Sequence, residues 1–111
     1  MPTFPSPHIT SHRLPQFDTN DWASIEAAFE GAESCTMGQG WLPELEPRFE
    51  PATTRTGWTP EGLWIYAELT DRDIFNHADS LNCETYWGDF FEVLVRPNGQ
   101  DPYYEFHVTS N

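Results

Sequence analysis

The sequence has few basic residues. Five Lys and Arg residues stand against 18 Asp and Glu residues in a chain of 111, which gives a formal net charge of −13 at pH 7. The five do not form a cluster, so nothing could replace the counterions of a phosphate backbone, and an anionic membrane surface would be repelled by the same charge. The composition therefore argues against nucleic-acid and membrane partners and leaves neutral ligands and cations.

Cysteine is also scarce. Cys35 and Cys83 are the only two, too few for a disulfide framework, so the sequence favours two free thiols over a disulfide between them. Residues 1–16 contain several prolines and no long apolar run, which makes this stretch neither a signal peptide nor a membrane span. The compartment stays open: cytoplasmic by default, extracellular or periplasmic if a leader has been removed.

Aromatic residues are abundant in contrast. Five Trp, eight Phe and four Tyr make up 15% of the chain, more than the core of one small domain usually holds. Some of these rings are therefore expected at a surface or binding face, where flat amphipathic side chains are useful.

The first half of the chain is weakly patterned. Residues 1–20 are interpreted as an extended lead-in, and Asp21 as the cap of a short helix that ends before Gly31. Residues 31–60 are interrupted by glycine and proline and are predicted to be mostly loop, with a strand near residues 53–58. The apolar residues of the helix recur at helical spacing: Trp22, Ile25, Ala28 and Phe29.

The second half predicts three strands, over residues 63–70, 90–96 and 103–109, each rich in aromatic and β-branched residues. The connector Pro-Asn-Gly-Gln-Asp-Pro between the last two predicts a hairpin. If Arg96 pairs with Tyr103, then Glu92 lies directly opposite His107.

Side chains alternate across a strand, so each run has two faces. One face is apolar and is predicted to be the core: Leu63, Ile65, Ala67, Leu69, Phe91, Val93, Val95, Tyr104, Phe106 and Val108. The opposite face mixes rings with carboxylates, an imidazole and hydroxyls: Trp64, Tyr66, Glu68, Thr70, Phe90, Glu92, Leu94, Arg96, Tyr103, Glu105, His107 and Thr109.

The mixed face has two interpretations. A sugar stacks its C–H faces on aromatic rings and needs donors and acceptors for its hydroxyls, so the mixture is typical of a carbohydrate-binding face. Alternatively, the N-terminal segment covers it. The pattern alone does not decide between these two.

Residues 62–109 resemble the family 9 carbohydrate-binding modules and their DOMON-like relatives. The matching segments are Gly-Leu-Trp-Ile-Tyr-Ala-Glu-Leu-Thr-Asp at 62–71, Trp-Gly-Asp-Phe-Phe-Glu-Val at 87–93 and Tyr-Tyr-Glu-Phe-His-Val at 103–108. The resemblance implies an antiparallel β-sandwich, immunoglobulin-like or jelly-roll-like, that binds a mono- or oligosaccharide without catalysis.

The same resemblance implies site residues. Trp87 would stack on the sugar, and Glu92 would accept hydrogen bonds from its hydroxyls. His107 and Thr109 stand where the family has an arginine and an asparagine. Trp87 precedes Glu92 by five residues where the family often has six, so Tyr86 is a second candidate for the platform. Glu105 lies on the same face and completes the predicted set.

The family domain continues past its Tyr-Tyr-Glu-Phe strand, and its second sugar-stacking ring lies there. Residues 1–111 are therefore expected to be the N-terminal part of one sandwich domain. Its uncovered apolar face and unpaired strand edges would favour marginal stability, dimerisation through those edges or aggregation.

Other residues have further interpretations. Asp71 and Asp73 follow a strand and would either hold calcium or shape a turn. Glu92 and Glu105 would be flat neighbours on a sheet with no pocket implied, which argues against a glycosidase pair. A DOMON-like domain that holds haem or acts as a structural accessory is the alternative function, and haem would need His107 or Met37 as axial ligand. Other histidines show no metal-ligand spacing. Core positions are predicted for Trp22 and Trp58.

Overall fold

A computed structural model describes residues 6–39, 44, 46–83 and 88–110. Its contacts divide the chain into an N-terminal unit, Met1–Thr70, and a C-terminal unit, Asp71–Asn111. The N-terminal unit holds β1 (His12–Arg13), α1 (Trp22–Phe29), β2 (Ser34–Met37), β3 (Ala52–Thr59) and β4 (Gly62–Leu69). The C-terminal unit holds β5 (Phe90–Val95) and β6 (Tyr104–Thr109).

Strand β3 is the centre of a four-stranded sheet. It pairs along its whole length with antiparallel β4, from Ala52 opposite Leu69 to Thr59 opposite Gly62. The other edge of β3 pairs first with antiparallel β2 and then with β1, which runs parallel to it. The predicted strand near residues 53–58 is confirmed and is longer than predicted.

Helix α1 begins and ends with side-chain hydrogen bonds. The Asp21 carboxylate accepts a hydrogen bond from the backbone N–H of Ala23 at 3.0 Å, which satisfies a free donor of the first turn. At the other end the Arg55 guanidinium of β3 donates to the carbonyls of Phe29 (2.9 Å) and Glu30 (3.1 Å). The predicted cap and helix are confirmed, and Arg55 ties the helix to the sheet.

The core of the N-terminal unit is aromatic and lies between α1 and the sheet. Phe29 is buried and stacks on Tyr66 with ring centroids 5.3 Å apart. Phe17, from the segment before the helix, meets Phe29 at 6.2 Å and the edge of Trp64 at 5.1 Å. In β4 the covered face is therefore the one that carries Trp64 and Tyr66.

This arrangement corrects the predicted core face of β4. Leu63, Ile65 and Leu69 are exposed, with Leu63 accessible over 53% of its surface. The alternation of the two faces was predicted correctly, but their assignment was wrong, because the large rings of α1 and its preceding segment pack against Trp64 and Tyr66. For β4, the second interpretation of the mixed face is therefore the correct one: residues that precede the sheet in sequence cover it.

The N-terminal segment is more structured than an extended lead-in. Leu14 is buried and donates its backbone N–H to the carbonyl of Trp58 at 2.8 Å. Gly57 lies beneath Leu14 so closely that a β-carbon there would collide with the leucine side chain. The lack of a side chain at Gly57 therefore allows the segment to approach the sheet.

Strand β2, Ser34–Met37, was not predicted within residues 31–60, which were expected to be mostly loop. Two further predictions for this unit are wrong. Trp22 and Trp58 were expected in the core, but they are 70% and 42% exposed. Each has a partner at the surface: Trp22 meets Tyr66 edge to face, and the Arg13 guanidinium lies 5.6 Å from the centre of the Trp58 ring.

In the C-terminal unit β5 and β6 form an antiparallel hairpin. On its apolar face Phe91, Val93 and Val95 are partly buried, but Phe106 and Val108 are exposed, Phe106 over 55% of its surface. The prediction that these two are buried is wrong. A two-stranded sheet offers a narrow surface, and the described residues of this unit supply no opposing layer for β6.

The described chain is thus β-rich, with two sheets and one short helix, as the fold prediction required. The parallel pairing of β1 departs from a purely antiparallel arrangement. Cys35 and Cys83 are free thiols. Within the part of the chain that is described, no helix is long and apolar enough to cross a membrane.

A matched pair of leucine substitutions tests which face of the sheet is covered. Leu14→Ala should lower the free energy of unfolding of the N-terminal unit by about 2–5 kcal/mol, because it leaves a cavity beside Gly57. Leu63→Ala, the same change at an exposed position, should cost less than about 1 kcal/mol. Denaturant unfolding followed by tryptophan fluorescence measures both, and equal losses would contradict the assignment.

Tyr66 provides a test by pH. Its hydroxyl donates a hydrogen bond to the Glu68 carboxylate at 3.0 Å. This hydrogen bond, together with burial and the charge of Glu68, raises the pKa of Tyr66 above its ordinary 10.0. Folding then favours the protonated phenol, so this stabilisation is complete below pH 10 and is lost as pH rises through the raised pKa. In a spectrophotometric titration referenced to Tyr66→Phe, Glu68→Gln should lower the pKa of Tyr66 more than Glu26→Gln does.

Candidate functional site

The candidate site is built on the register of the β5–β6 hairpin. Phe90 pairs with Thr109, Glu92 with His107 and Val95 with Tyr104. The predicted register is therefore confirmed, and Glu92 faces His107 across the two strands. Because side chains two residues apart share a face, Glu105 and Thr109 lie on the same side of the hairpin as this pair.

His107 has two cross-strand contacts on this face. Its Nε2 lies 3.3 Å from Oε1 of Glu92, within hydrogen-bonding distance. The Phe90 ring stacks on the imidazole with centroids 5.1 Å apart and planes inclined by 24°. An aromatic ring and a carboxylate together limit the rotation of the imidazole, which gives its nitrogen atoms defined positions.

Glu105 lies close to this pair. Each of Glu92, Glu105 and His107 places one potential ligand atom within 4.8 Å of those of the other two. Glu92 and Glu105 are exposed, and His107 is partly buried. Among the described residues this is the only group of three such side chains that converges so closely.

An open groove of about 770 Å³ runs along β6. One side is formed by Glu105, His107 and Thr109, and the other by the loop of residues 78–83. The sequence argument implied no pocket between Glu92 and Glu105, and the groove lies beside Glu105 without Glu92 in its lining. The loop that forms its second wall was not predicted.

The segment that leads to this loop is held at the start of β5 by backbone contacts. Asp89 donates its N–H to the carbonyl of Phe75 at 2.8 Å, and its carboxylate accepts the N–H of Phe75 at 2.9 Å. The Asn76 side chain donates to the carbonyl of Asp89, also at 2.9 Å. A β-carbon at Gly88 would lie 2.6 Å from the carbonyl oxygen of Phe75, so this approach needs glycine.

The loop ends in a turn that places a thiol in the groove wall. Cys83 donates its N–H to the carbonyl of Ser80 at 3.4 Å, and Asn82 adopts a left-handed conformation with φ of 62°, which asparagine tolerates better than most residues. Hydrogen bonding to the backbone of Ser80 lowers the pKa of the Cys83 thiol below its ordinary 9.0. The sequence did not indicate this thiol as part of a site.

The second predicted site, Asp71 and Asp73, forms a turn. The carboxylate of Asp71 accepts the backbone N–H of Asp73 at 2.9 Å, the pattern of an aspartate turn. This is the simpler of the two interpretations that the sequence offered for the pair.

Four of the six predicted ligand-binding residues are brought together: Glu92, Glu105, His107 and Thr109 share one face of the hairpin. Trp87 and Tyr86 lie outside the described residues. Phe90 was placed on this face by the sequence, but its stacking on His107 was missed. A cross-strand neighbour of an imidazole is the signal that could have revealed it.

Gly88→Ala tests whether the backbone contacts hold the groove wall. The added methyl group would push the backbone of Phe75 away and weaken the hydrogen bonds between Phe75 and Asp89, at a cost of about 1–3 kcal/mol. Hydrogen exchange should then be faster at both amides by about tenfold or more. Gly31→Ala, where no atom outside the two neighbouring residues lies within 4 Å of the added carbon, should leave the exchange of both amides unchanged. Unaltered exchange in Gly88→Ala would contradict the role of this contact.

The chain was also compared with known proteins. No family model, no curated protein and no solved structure matches it.

Proposed function

We propose that this chain is a non-catalytic carbohydrate-binding module that binds a mono- or oligosaccharide along β6. One observation carries the proposal: Glu105, His107 and Thr109 line the same open groove from alternate positions of one strand. A carboxylate, an imidazole and a hydroxyl follow each other at about 6.6–6.8 Å along the strand. Such a row offers both donors and acceptors to sugar hydroxyls.

The aromatic neighbours of the row support the same ligand class. Phe90 stacks on His107 and keeps about a third of its surface accessible (36%). Sugar rings present C–H groups on their faces, which pack against aromatic rings. Trp87 and Tyr86 remain part of the proposal as stacking platforms because of the family resemblance.

The volume of the groove and the net charge of the chain are compatible with a sugar. Its volume of about 770 Å³ lies within the range of about 300–1,000 Å³ that is common for small-molecule sites. The net charge of −13 opposes anionic ligands and leaves neutral polyols unaffected. The proposal includes an antiparallel β-sandwich as the architecture and a relationship to the family 9 modules.

Isothermal titration against a panel of mono- and oligosaccharides, in buffer containing EDTA, tests the proposal. Glu92→Gln should weaken binding of the preferred sugar about tenfold or more, because a hydrogen bond to a charged group contributes about 1.5–3 kcal/mol. Thr109→Val, which keeps the shape of the side chain and removes the hydroxyl, should also weaken binding.

Glu33→Gln is the matched control. Glu33 contacts His12 at 2.6 Å in the N-terminal unit, and neither residue lines the groove, so this variant removes a similar Glu–His pair without changing the groove lining. It should leave sugar binding unchanged. Absence of heat with every sugar, or equal losses in the Glu92 and Glu33 variants, would refute the proposal. An intense haem absorption band from the purified protein would instead support the DOMON-like alternative.

A further inference from the structure

We propose that Glu92, Glu105 and His107 bind one divalent metal ion, zinc or a neighbouring transition metal, at the side of the groove. The proposal does not depend on sugar binding. It rests on three side chains that converge from two strands and on the donor atoms they offer.

The first argument is distance. Zinc binds histidine nitrogen and carboxylate oxygen at about 2.0–2.2 Å, so two ligands of a tetrahedral ion lie about 3.3–3.6 Å apart. Nε2 of His107 and Oε1 of Glu92 are 3.3 Å apart, already at that separation. Glu105 has a carboxylate oxygen within 4.8 Å of the ligand atoms of both, and a change of rotamer in an exposed side chain can close the difference.

The second argument is charge. Two carboxylates at this distance repel each other, in a chain that already carries a net charge of −13. An imidazole can neutralise them only while it is protonated, whereas a divalent cation does so with the imidazole neutral.

The third argument is donor type. Imidazole nitrogen suits zinc and its neighbours in the transition series, whereas calcium and magnesium prefer oxygen ligands alone. The stack of Phe90 against the imidazole holds the ring in place, as the orienting partners of metal-binding histidines do. Three protein ligands beside an open groove leave at least one coordination position for water or another ligand.

The experiment uses the full chain after EDTA treatment and dialysis, with zinc and cobalt(II) as probes and no sugar present. Calorimetry should show one tight zinc site per chain, and cobalt should develop visible absorption bands. His107→Gln and Glu105→Gln should each lower the zinc affinity by more than about 100-fold, beyond the 10–100-fold usual for residues that only orient ligands. Zinc should raise the melting temperature of the unaltered protein but not of these variants.

Two controls exclude other zinc ligands. His12→Gln removes an exposed histidine that contacts a glutamate, Glu33, with no third ligand among the residues that the structure describes, and it should bind zinc as the unaltered chain does. Cys83→Ser removes the thiol of the groove wall and should retain the cobalt bands. Zinc binding that persists in His107→Gln, or that is lost equally in His12→Gln or Cys83→Ser, would overturn the proposal.

The experiments distinguish a failure of the zinc proposal from a failure of the proposed sugar binding. Thr109 is not one of the three metal ligands, so Thr109→Val should weaken sugar binding and leave the zinc affinity intact. Loss of zinc binding in Thr109→Val would overturn the metal proposal. Sugar binding in EDTA with no zinc site would overturn the metal proposal alone, and a zinc site without any sugar heat would refute only the proposed function.

Discussion

The alternation of side chains along β-strands is the constraint on which both units depend. In β4 it places Trp64 and Tyr66 on one side of the sheet, where Phe29 and Phe17 cover them. In β5 and β6 it places Glu92, Glu105 and His107 on one side of the hairpin. A slip of one residue would move every one of these side chains to the opposite face and remove both the aromatic core and the candidate site.

Hydrogen bonds between residues far apart in the sequence then hold other segments of the chain beside these strands. Arg55 reaches the last carbonyls of α1 from the middle of β3 and holds the helix over the sheet. Asp89 binds Phe75 by two backbone-directed hydrogen bonds at the start of β5. Both anchors use a charged side chain, Arg55 within β3 and Asp89 just before β5, to satisfy backbone groups of a helix end or a loop.

The parts predictable from sequence were those that depend on local pattern. The Pro-Asn-Gly-Gln-Asp-Pro connector and the alternation of β5 and β6 were enough to predict that Glu92 faces His107. Which face of β4 is covered was not predictable in this way, because it depends on where Phe17 and Phe29 pack. Strand β2 carries no run of apolar or aromatic residues, and it forms because its backbone completes one edge of β3. The groove wall depends on a contact between Asp89 and Phe75, 14 residues apart, which no pattern reveals.

In the groove, paired strands carry the groups that would bind a ligand, and a loop forms the wall that limits its shape. Strand positions are held by ladder hydrogen bonds, while loops accept substitutions and insertions at small cost. Selectivity could therefore evolve, or be engineered, by exchanging residues 78–83 while the binding atoms of β5 and β6 stay where they are.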